Sequence, residues 1–196
     1  ALKIRRELAE KSPDAYLPDL AISCNNLAYL LSDTGSSKEA EELYREALKI
    51  RRELAEKSPD AYLPDLAISC NNLAYLLSDT GSSKEAEELY REALKIRREL
   101  AEKSPDAYLP NLAIGCNNLA NLLSDIGSFK EAEELYQEAL KIRWNLAEEN
   151  PKVYLPKLQL VCDNLTALLE KTGRREEADS LRREVAEFYQ KQLAQQ

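Results

Sequence analysis

Residues 17–58 have the sequence LPDLAISCNNLAYLLSDTGSSKEAEELYREALKIRRELAEKS, and the same letters return unchanged at 63–104. The period of 46 residues continues through 93–138 with six substitutions and persists in a more divergent form from residue 139 onward. A fixed period of roughly 20 to 50 residues is typical of arrays in which each unit buries its apolar face against its neighbours. We therefore expect one elongated array of stacked units.

Each period contains two apolar stripes with the spacing of amphipathic helices. The first stripe consists of Leu20, Ala21, Cys24, Leu27, Ala28 and Leu31, and the second of Ala40, Leu43, Tyr44, Ala47, Ile50 and Leu54. Gly35 suits the left-handed residue that ends a helix, Pro18 suits a first helical turn, and Pro59 ends the second helix. The pattern predicts antiparallel pairs with helices of roughly 16 and 21 residues. The predicted fold class is an all-α solenoid with about nine helices.

The period also sets the expected boundaries of the repeats within this single array. They are 1–16 for the second helix of a truncated repeat, 17–62, 63–108 and 109–154 for complete repeats, and 155–196 for a capping repeat. In the last repeat, Thr166, Arg182 and Val185 stand where earlier repeats have Ala, Tyr and Ala, as expected of a terminal cap. Because the chain begins inside a repeat, we expect the array to continue upstream of Ala1. The uncovered helix there would favour end-to-end self-association of molecules.

Composition argues against several classes of function. The net charge of −8 disfavours a nucleic-acid partner. The chain has no histidine, the commonest acid–base residue and metal ligand, and four of its five glycines lie at predicted helix ends, away from any phosphate-binding loop. No segment has the roughly 20 apolar residues that span a bilayer. We therefore expect no enzymatic activity, no cofactor, no metal site and no membrane contact.

The four cysteines, Cys24, Cys70, Cys116 and Cys162, occupy one repeat position. Packed helices lie about 10 Å apart, whereas a disulfide requires Cα atoms within about 7 Å. We expect each cysteine to be a small buried apolar side chain. Free thiols suit a reducing compartment, which favours a cytoplasmic location.

Several of these positions resemble the tetratricopeptide repeat in order and spacing. They are Leu27, Ala28, Leu31, Gly35, Ala40, Tyr44 and Ala47. The segments 25–28 (NNLA) and 46–51 (EALKIR) are similar to the longer repeats of kinesin light chain and related bacterial scaffolds. Cys24 departs from the family pattern, which usually has Trp or Leu there. The resemblance implies a right-handed superhelix whose first helices line a concave groove for an extended peptide.

The resemblance also implies which residues line that groove. They are Asn25, Asn26, Tyr29, Asp33, Asn71, Asn72, Tyr75, Asp79, Asn117, Asn118, Asn121, Asp125, Asn164 and Lys171. Asparagine amides both donate and accept hydrogen bonds, so a ladder of them can pair with peptide backbone of any sequence. The aspartates would favour basic peptides, while Lys171 could meet an acidic group. Alternatively, the asparagines bond the backbone of the neighbouring repeat, the tyrosines pack on the next first helix, and the aspartates are solvated.

Two functions remain open at this stage. The first is a non-catalytic scaffold that binds a peptide or protein segment of unknown identity in the groove. The second is a structural or self-assembling array, recently duplicated or consensus-like, with no dedicated ligand. The charged stretch Ile4-Arg5-Arg6-Glu7, repeated at 50–53 and 96–99, is interpreted as a solvated helix face with Glu/Arg pairs.

Overall fold

A computed structural model describes residues 2–194, and this range consists of nine α-helices joined by short turns. Their bounds are α1 Leu2–Lys11, α2 Pro13–Asp33, α3 Ser37–Lys57, α4 Pro59–Asp79, α5 Ser83–Lys103, α6 Pro105–Asp125, α7 Phe129–Glu149, α8 Pro151–Lys171 and α9 Arg175–Ala194. The predicted all-α solenoid of about nine helices is confirmed for this range. None of these helices is long and apolar enough to cross a membrane.

The helices form two compact units, here called unit 1, which extends to Arg97, and unit 2, which begins at Arg98. In unit 1, α2 packs against α1 and α3, and α3 packs against α4. In unit 2, α7 packs against α6 and α8, and α8 packs against α9. The first helices of consecutive repeats also touch directly, α2 with α4 and α6 with α8. Each unit therefore presents two neighbouring first helices side by side.

The turn within each helix pair is closed by a glycine in the left-handed conformation, as predicted. Gly35 has φ of 84°, its N–H bonds the carbonyl of Ser32 at 3.1 Å, and the N–H of Ser36 bonds the carbonyl of Leu31 at 2.8 Å. These two bonds form the Schellman motif, which satisfies carbonyls that the helix end leaves unpaired. Gly81, Gly127 and Gly173 repeat the conformation.

The first helices begin earlier than the sequence indicates. The helix α2 starts at Pro13, so Pro18 lies inside it instead of in its first turn. Ser58 follows the last residue of α3 and precedes the first residue of α4, so it alone joins the two helices. The prediction took Pro59 only as the end of one helix, but the same residue is the first residue of the next.

The core contains small residues of both predicted stripes, since Ala28, Ala40 and Ala47 are completely buried. Three leucines of the predicted stripes are less buried, since Leu31 and Leu43 are half-buried and Leu27 is exposed. Leu73 is completely buried, whereas Leu27, at the same repeat position, is 37% exposed. The two lie in identical sequence, so their surroundings account for the difference. Leu73 on α4 has α2 beside it, whereas α2 is the first of these helices in the described range.

Candidate functional site

Most of the predicted groove residues of unit 1 line a surface cavity of about 400 Å³ between the first helices α2 and α4. Its lining consists of Tyr29, Ser32, Asp33, Tyr44, Asn71, Asn72, Tyr75 and Asp79. Six of these eight residues are predicted groove residues. We call this cavity the tyrosine cavity.

An amide pair joins the two first helices beside the tyrosine cavity. The Nδ2 of Asn72 on α4 donates to the Oδ1 of Asn25 on α2 at 3.0 Å. In unit 2, the Nδ2 of Asn164 donates to the Oδ1 of Asn117 at 2.9 Å. The asparagines therefore bond side chain to side chain between repeats, whereas the alternative expected from the sequence was a bond to the backbone of the neighbouring repeat. Each bond uses one of the two N–H groups of one amide and one oxygen lone pair of the other, so the ladder orients amides with further hydrogen-bonding capacity.

Two of the three tyrosines of the cavity leave most of their surface in solvent. Tyr29 and Tyr75 are each 64% exposed, one repeat apart. Beneath them Tyr44 is buried, and this burial raises the pKa of its phenol. Exposed tyrosines of this kind offer a large flat contact area with few rotatable bonds.

The remaining predicted residues of unit 1 differ in their surroundings. Asp33 and Asp79 are exposed at the C-terminal ends of α2 and α4 and line the tyrosine cavity. Asn26 is exposed on α2 outside the cavity lining. Two carboxylates beside two exposed rings make the cavity suited to a cationic side chain.

Unit 2 presents a different chemistry at the same positions. Asn121 replaces the exposed tyrosine, and its Oδ1 accepts a hydrogen bond of 2.6 Å from the hydroxyl of Tyr136. The ammonium of Lys171 donates to the carbonyl of Ser124 at 2.9 Å and lies 5.0 Å from the ring centroid of Phe129. Lys171 thus contacts the C-terminal end of α6, where the helix dipole favours a cation. Asp125 is exposed beside this contact.

A second cavity of about 210 Å³ lies in unit 2 between α6, α7 and α8. Its lining consists of Ala113, Ile114, Asn117, Asn118, Arg143, Lys157, Leu160 and Val161. Two of these residues, Asn117 and Asn118, are predicted groove residues. We call this cavity the arginine cavity.

The arginines of the second helices correct one sequence interpretation. The stretch at 50–53 and 96–99 was expected to be a solvated face, but Arg51 and Arg97 are only 7% and 6% exposed. The arginines that follow them are exposed and paired with glutamates as expected, as is Arg6 in the first copy of the stretch. Arg52 and Arg98 form exposed ion pairs of 2.6 Å with Glu92 and Glu138.

The burial of these arginines has a visible signal in the sequence. Arg51 lies four residues after Ala47 and three before Leu54, so it falls on the buried stripe of its helix. Its Nη1 forms an ion pair with Asp65 on α4. One repeat later, Arg97 donates to the Oδ1 of Asn71 at 3.3 Å. Both buried arginines therefore contact the first helix α4, Arg51 from α3 and Arg97 from α5.

The cysteines are free and buried at all four positions, as predicted. Burial raises the pKa of the Cys24 and Cys70 thiols to about 12 and that of Cys162 to about 11. These three side chains are therefore protonated thiols at neutral pH, the unreactive form. Among residues 2–194, no group of three or more His, Cys, Asp and Glu residues is placed to hold a metal ion.

The fold is similar to that of several solved structures. BtubC (BKLC) from P. vanneervenii is 24% identical over 95% of this chain and 85% of its own, with a TM-score of 0.54. A putative kinesin light chain from Podosopora anserina, described as having nearly identical TPR-like repeats, is 19% identical over 94% of this chain and 83% of its own, with a TM-score of 0.67. Aspartyl phosphate phosphatase F from Bacillus subtilis is 17% identical over 88% of this chain and 41% of its own, with a TM-score of 0.68. At these identities the similarity concerns the fold.

No curated protein sequence matches the chain. A family model does match it, namely that of the tetratricopeptide repeat, at residues 20–60, 66–106 and 113–144. These three ranges cover more than half of the chain and repeat with the period of the helix pairs. The chain belongs to the tetratricopeptide repeat family.

Proposed function

We propose that this chain is a non-catalytic scaffold that binds an extended segment of a peptide or protein across its first helices. The observation that carries the proposal is the tyrosine cavity, which gathers groove residues from two consecutive repeats in one place. Repeats of this family generally act as protein-binding scaffolds, which supports the same class of function.

The chemistry of the cavity suggests how a segment would be held. The Asn25–Asn72 pair presents oriented amides to a peptide backbone. Tyr29 and Tyr75 would contact side chains of the segment, since both rings are exposed. Asp33 and Asp79 favour a lysine or arginine at the neighbouring position of the ligand.

Other features of the chain support a protein partner over catalysis or nucleic-acid binding. The chain has no histidine and a net charge of −8, which repels a phosphate backbone. The unpaired cysteines suit a reducing compartment and favour a cytoplasmic setting.

The proposal is tested by selecting peptides from a display library with the wild-type chain and with a Tyr29→Ala/Tyr75→Ala variant. Both rings are largely exposed, so circular dichroism should show equal helix content. Tyr16→Ala is the matched control, because Tyr16 is an exposed tyrosine of α2 outside the cavity. We expect a shared motif that wild type and the control bind and the double variant loses. Equal binding by the double variant, or no enrichment by wild type, contradicts the proposal.

A second candidate is end-to-end self-association through α1 and α2. Ile4, Leu27 and Leu30 are exposed on these helices by 61%, 37% and 59%, and exposed apolar side chains favour contact with a partner surface. Sedimentation velocity over a hundredfold range of concentration tests this candidate. A constant sedimentation coefficient of a monomer excludes it.

A further inference from the structure

Among the positions at which the repeats differ, one determines the charge beside a buried arginine. In unit 1, Arg51 on α3 pairs with Asp65 on α4. Two periods later, the same two positions hold Arg143 on α7 and Lys157 on α8. A second cation has therefore replaced the carboxylate that neutralises the arginine.

The guanidinium of Arg143 is buried and incompletely bonded. The residue is 4% exposed, and its Nη2 donates to the carbonyl of Pro110 at 3.0 Å. Its Nη1 is buried without a hydrogen-bond partner. Within residues 2–194 no carboxylate forms an ion pair with Arg143 or Lys157. Arg51 also has one unpartnered buried atom, its Nε, but its charge is balanced by Asp65.

Both cations share a single aromatic ring. The Cζ of Arg143 lies 5.8 Å, and the Nζ of Lys157 5.1 Å, from the ring centroid of Tyr154. The negative face of a tyrosine ring attracts a cation, but at roughly 0.5–2 kcal/mol it offsets only part of the loss of hydration. Burial lowers the pKa of Arg143, as it lowers that of Arg51, because an apolar environment disfavours the charged form.

These cations line the arginine cavity together with Asn117 and Asn118, the groove asparagines of α6. Ile114, Leu160 and Val161 supply the apolar part of the wall. The cavity thus combines a buried positive charge, amide groups and low-polarity walls. Such walls strengthen the attraction between a cation and an entering anion.

We propose that the arginine cavity binds the carboxylate of an aspartate or glutamate side chain from a segment lying across α6 and α8. The carboxylate would pair with the exposed ammonium of Lys157 and with the guanidinium of Arg143, taking the place that Asp65 has in unit 1. This inference rests on the proposed function and specifies one further property of the ligand, namely a negative charge at the position that enters the arginine cavity. Unit 1 would select a basic side chain and unit 2 an acidic one.

The probe for the test is an N-acetylated, C-amidated peptide of four glutamates, and a peptide of four glutamines is its uncharged counterpart. Two-dimensional ¹H–¹⁵N spectra would follow the side chain of Arg143 and the backbone amide of Lys157. We expect saturable shifts of both signals with the glutamate peptide, none with the glutamine peptide, and weaker binding as salt is added. The net charge of −8 repels this probe elsewhere, so localised shifts would identify a site.

Three variants sharpen the test. Lys157→Asp rebuilds the ion pair of unit 1, so the protein should stay folded and the affinity for the glutamate peptide should fall at least about tenfold. Lys152→Asp is the matched control, because it makes the same charge change at an exposed residue of the same helix outside the cavity. It should retain binding. Asp65→Lys should create shifts at Arg51 that wild type does not show.

Unchanged binding by Lys157→Asp, equal binding of the two peptides, or an absence of shifts at Arg143 in wild type would overturn the inference. Such a result leaves the proposed function intact, because the display experiment tests Tyr29 and Tyr75 of unit 1. Conversely, a failed display experiment with localised glutamate binding would retain an anion site without a peptide groove. That outcome would overturn the inference, because the cavity would bind anions without receiving a side chain from a bound segment.

Discussion

The amide of Asn72 donates a hydrogen bond of 3.0 Å to the amide oxygen of Asn25, and the two residues belong to first helices of consecutive repeats. The equivalent bond between Asn164 and Asn117 has a length of 2.9 Å. Since the same polar contact forms in both units, it is part of how one repeat is aligned on the next. Under the proposed function the same amides would also contact a bound segment, so alignment and recognition would use one set of side chains.

Replacing Asn25 by alanine should lower the free energy of unfolding by about 1 kcal/mol, because the Nδ2 donor of half-buried Asn72 loses its partner. Urea denaturation followed by circular dichroism measures the change. Asn26→Ala is the control at the next residue, which is exposed, and should change stability by less than about 0.5 kcal/mol. Equal effects of the two substitutions would mean that the amide pair contributes nothing.

The two leucines at one repeat position provide a matched pair for the core. Leu73→Ala should destabilise the protein by about 2–5 kcal/mol, because the side chain is fully buried and its removal leaves a cavity. Leu27→Ala should have a clearly smaller effect, since that side chain is 37% exposed. Chemical denaturation of both variants gives the comparison. A larger effect at Leu27 would show that a neighbouring surface covers it in solution.

Substitution of Gly35 by alanine tests the turn within a helix pair. The added Cβ would meet no atom within 4 Å, so the destabilisation comes from the left-handed backbone alone and should be about 1–2 kcal/mol. Gly35→Asn should be milder, because asparagine tolerates this conformation better. Thermal and urea denaturation would separate the two, and an alanine variant as stable as wild type would contradict the account.

Stability should decline as the pH rises from about 9 towards 12 because of the buried thiols. The pKa values of Cys24 and Cys70 are raised from 9.0 to about 12. In that interval the unfolded chain releases thiol protons that the folded chain retains, which favours unfolding as the pH rises. Urea denaturation at several pH values measures the slope. The Cys24→Ala/Cys70→Ala variant should show a shallower decline, and an identical slope would assign the effect to other groups such as the buried tyrosines.

The sequence predicts the architecture well because the features that determine it, the repeated apolar stripes and the glycines at helix ends, depend only on nearby residues. Gly35 ends a helix through its own backbone freedom, and the stripes repeat unchanged, so both features can be recognised within one repeat. The predicted start of the first helix was wrong because two prolines, Pro13 and Pro18, both suit a first turn, and the helix begins at the earlier one.

The side-chain environments of the candidate site were harder to predict. Arg51 was assigned to solvent because its charge outweighed its place on the apolar stripe, and its partner Asp65 is in the next helix. Leu27 and Leu73 cannot be distinguished by sequence at all, since the surrounding letters are identical. Their difference comes from which helix lies beside them.

The single residue Ser58 between α3 and α4 has a consequence for how the gene can change. A recombination event that removes or adds one whole 46-residue period restores the same Ser–Pro joint and the same helix faces. A deletion or insertion of one residue within a helix instead turns every later residue of that helix by about 100° and exposes its apolar stripe. Gain or loss of complete periods therefore preserves the helix faces, and under the proposed function it would change the number of recognition positions.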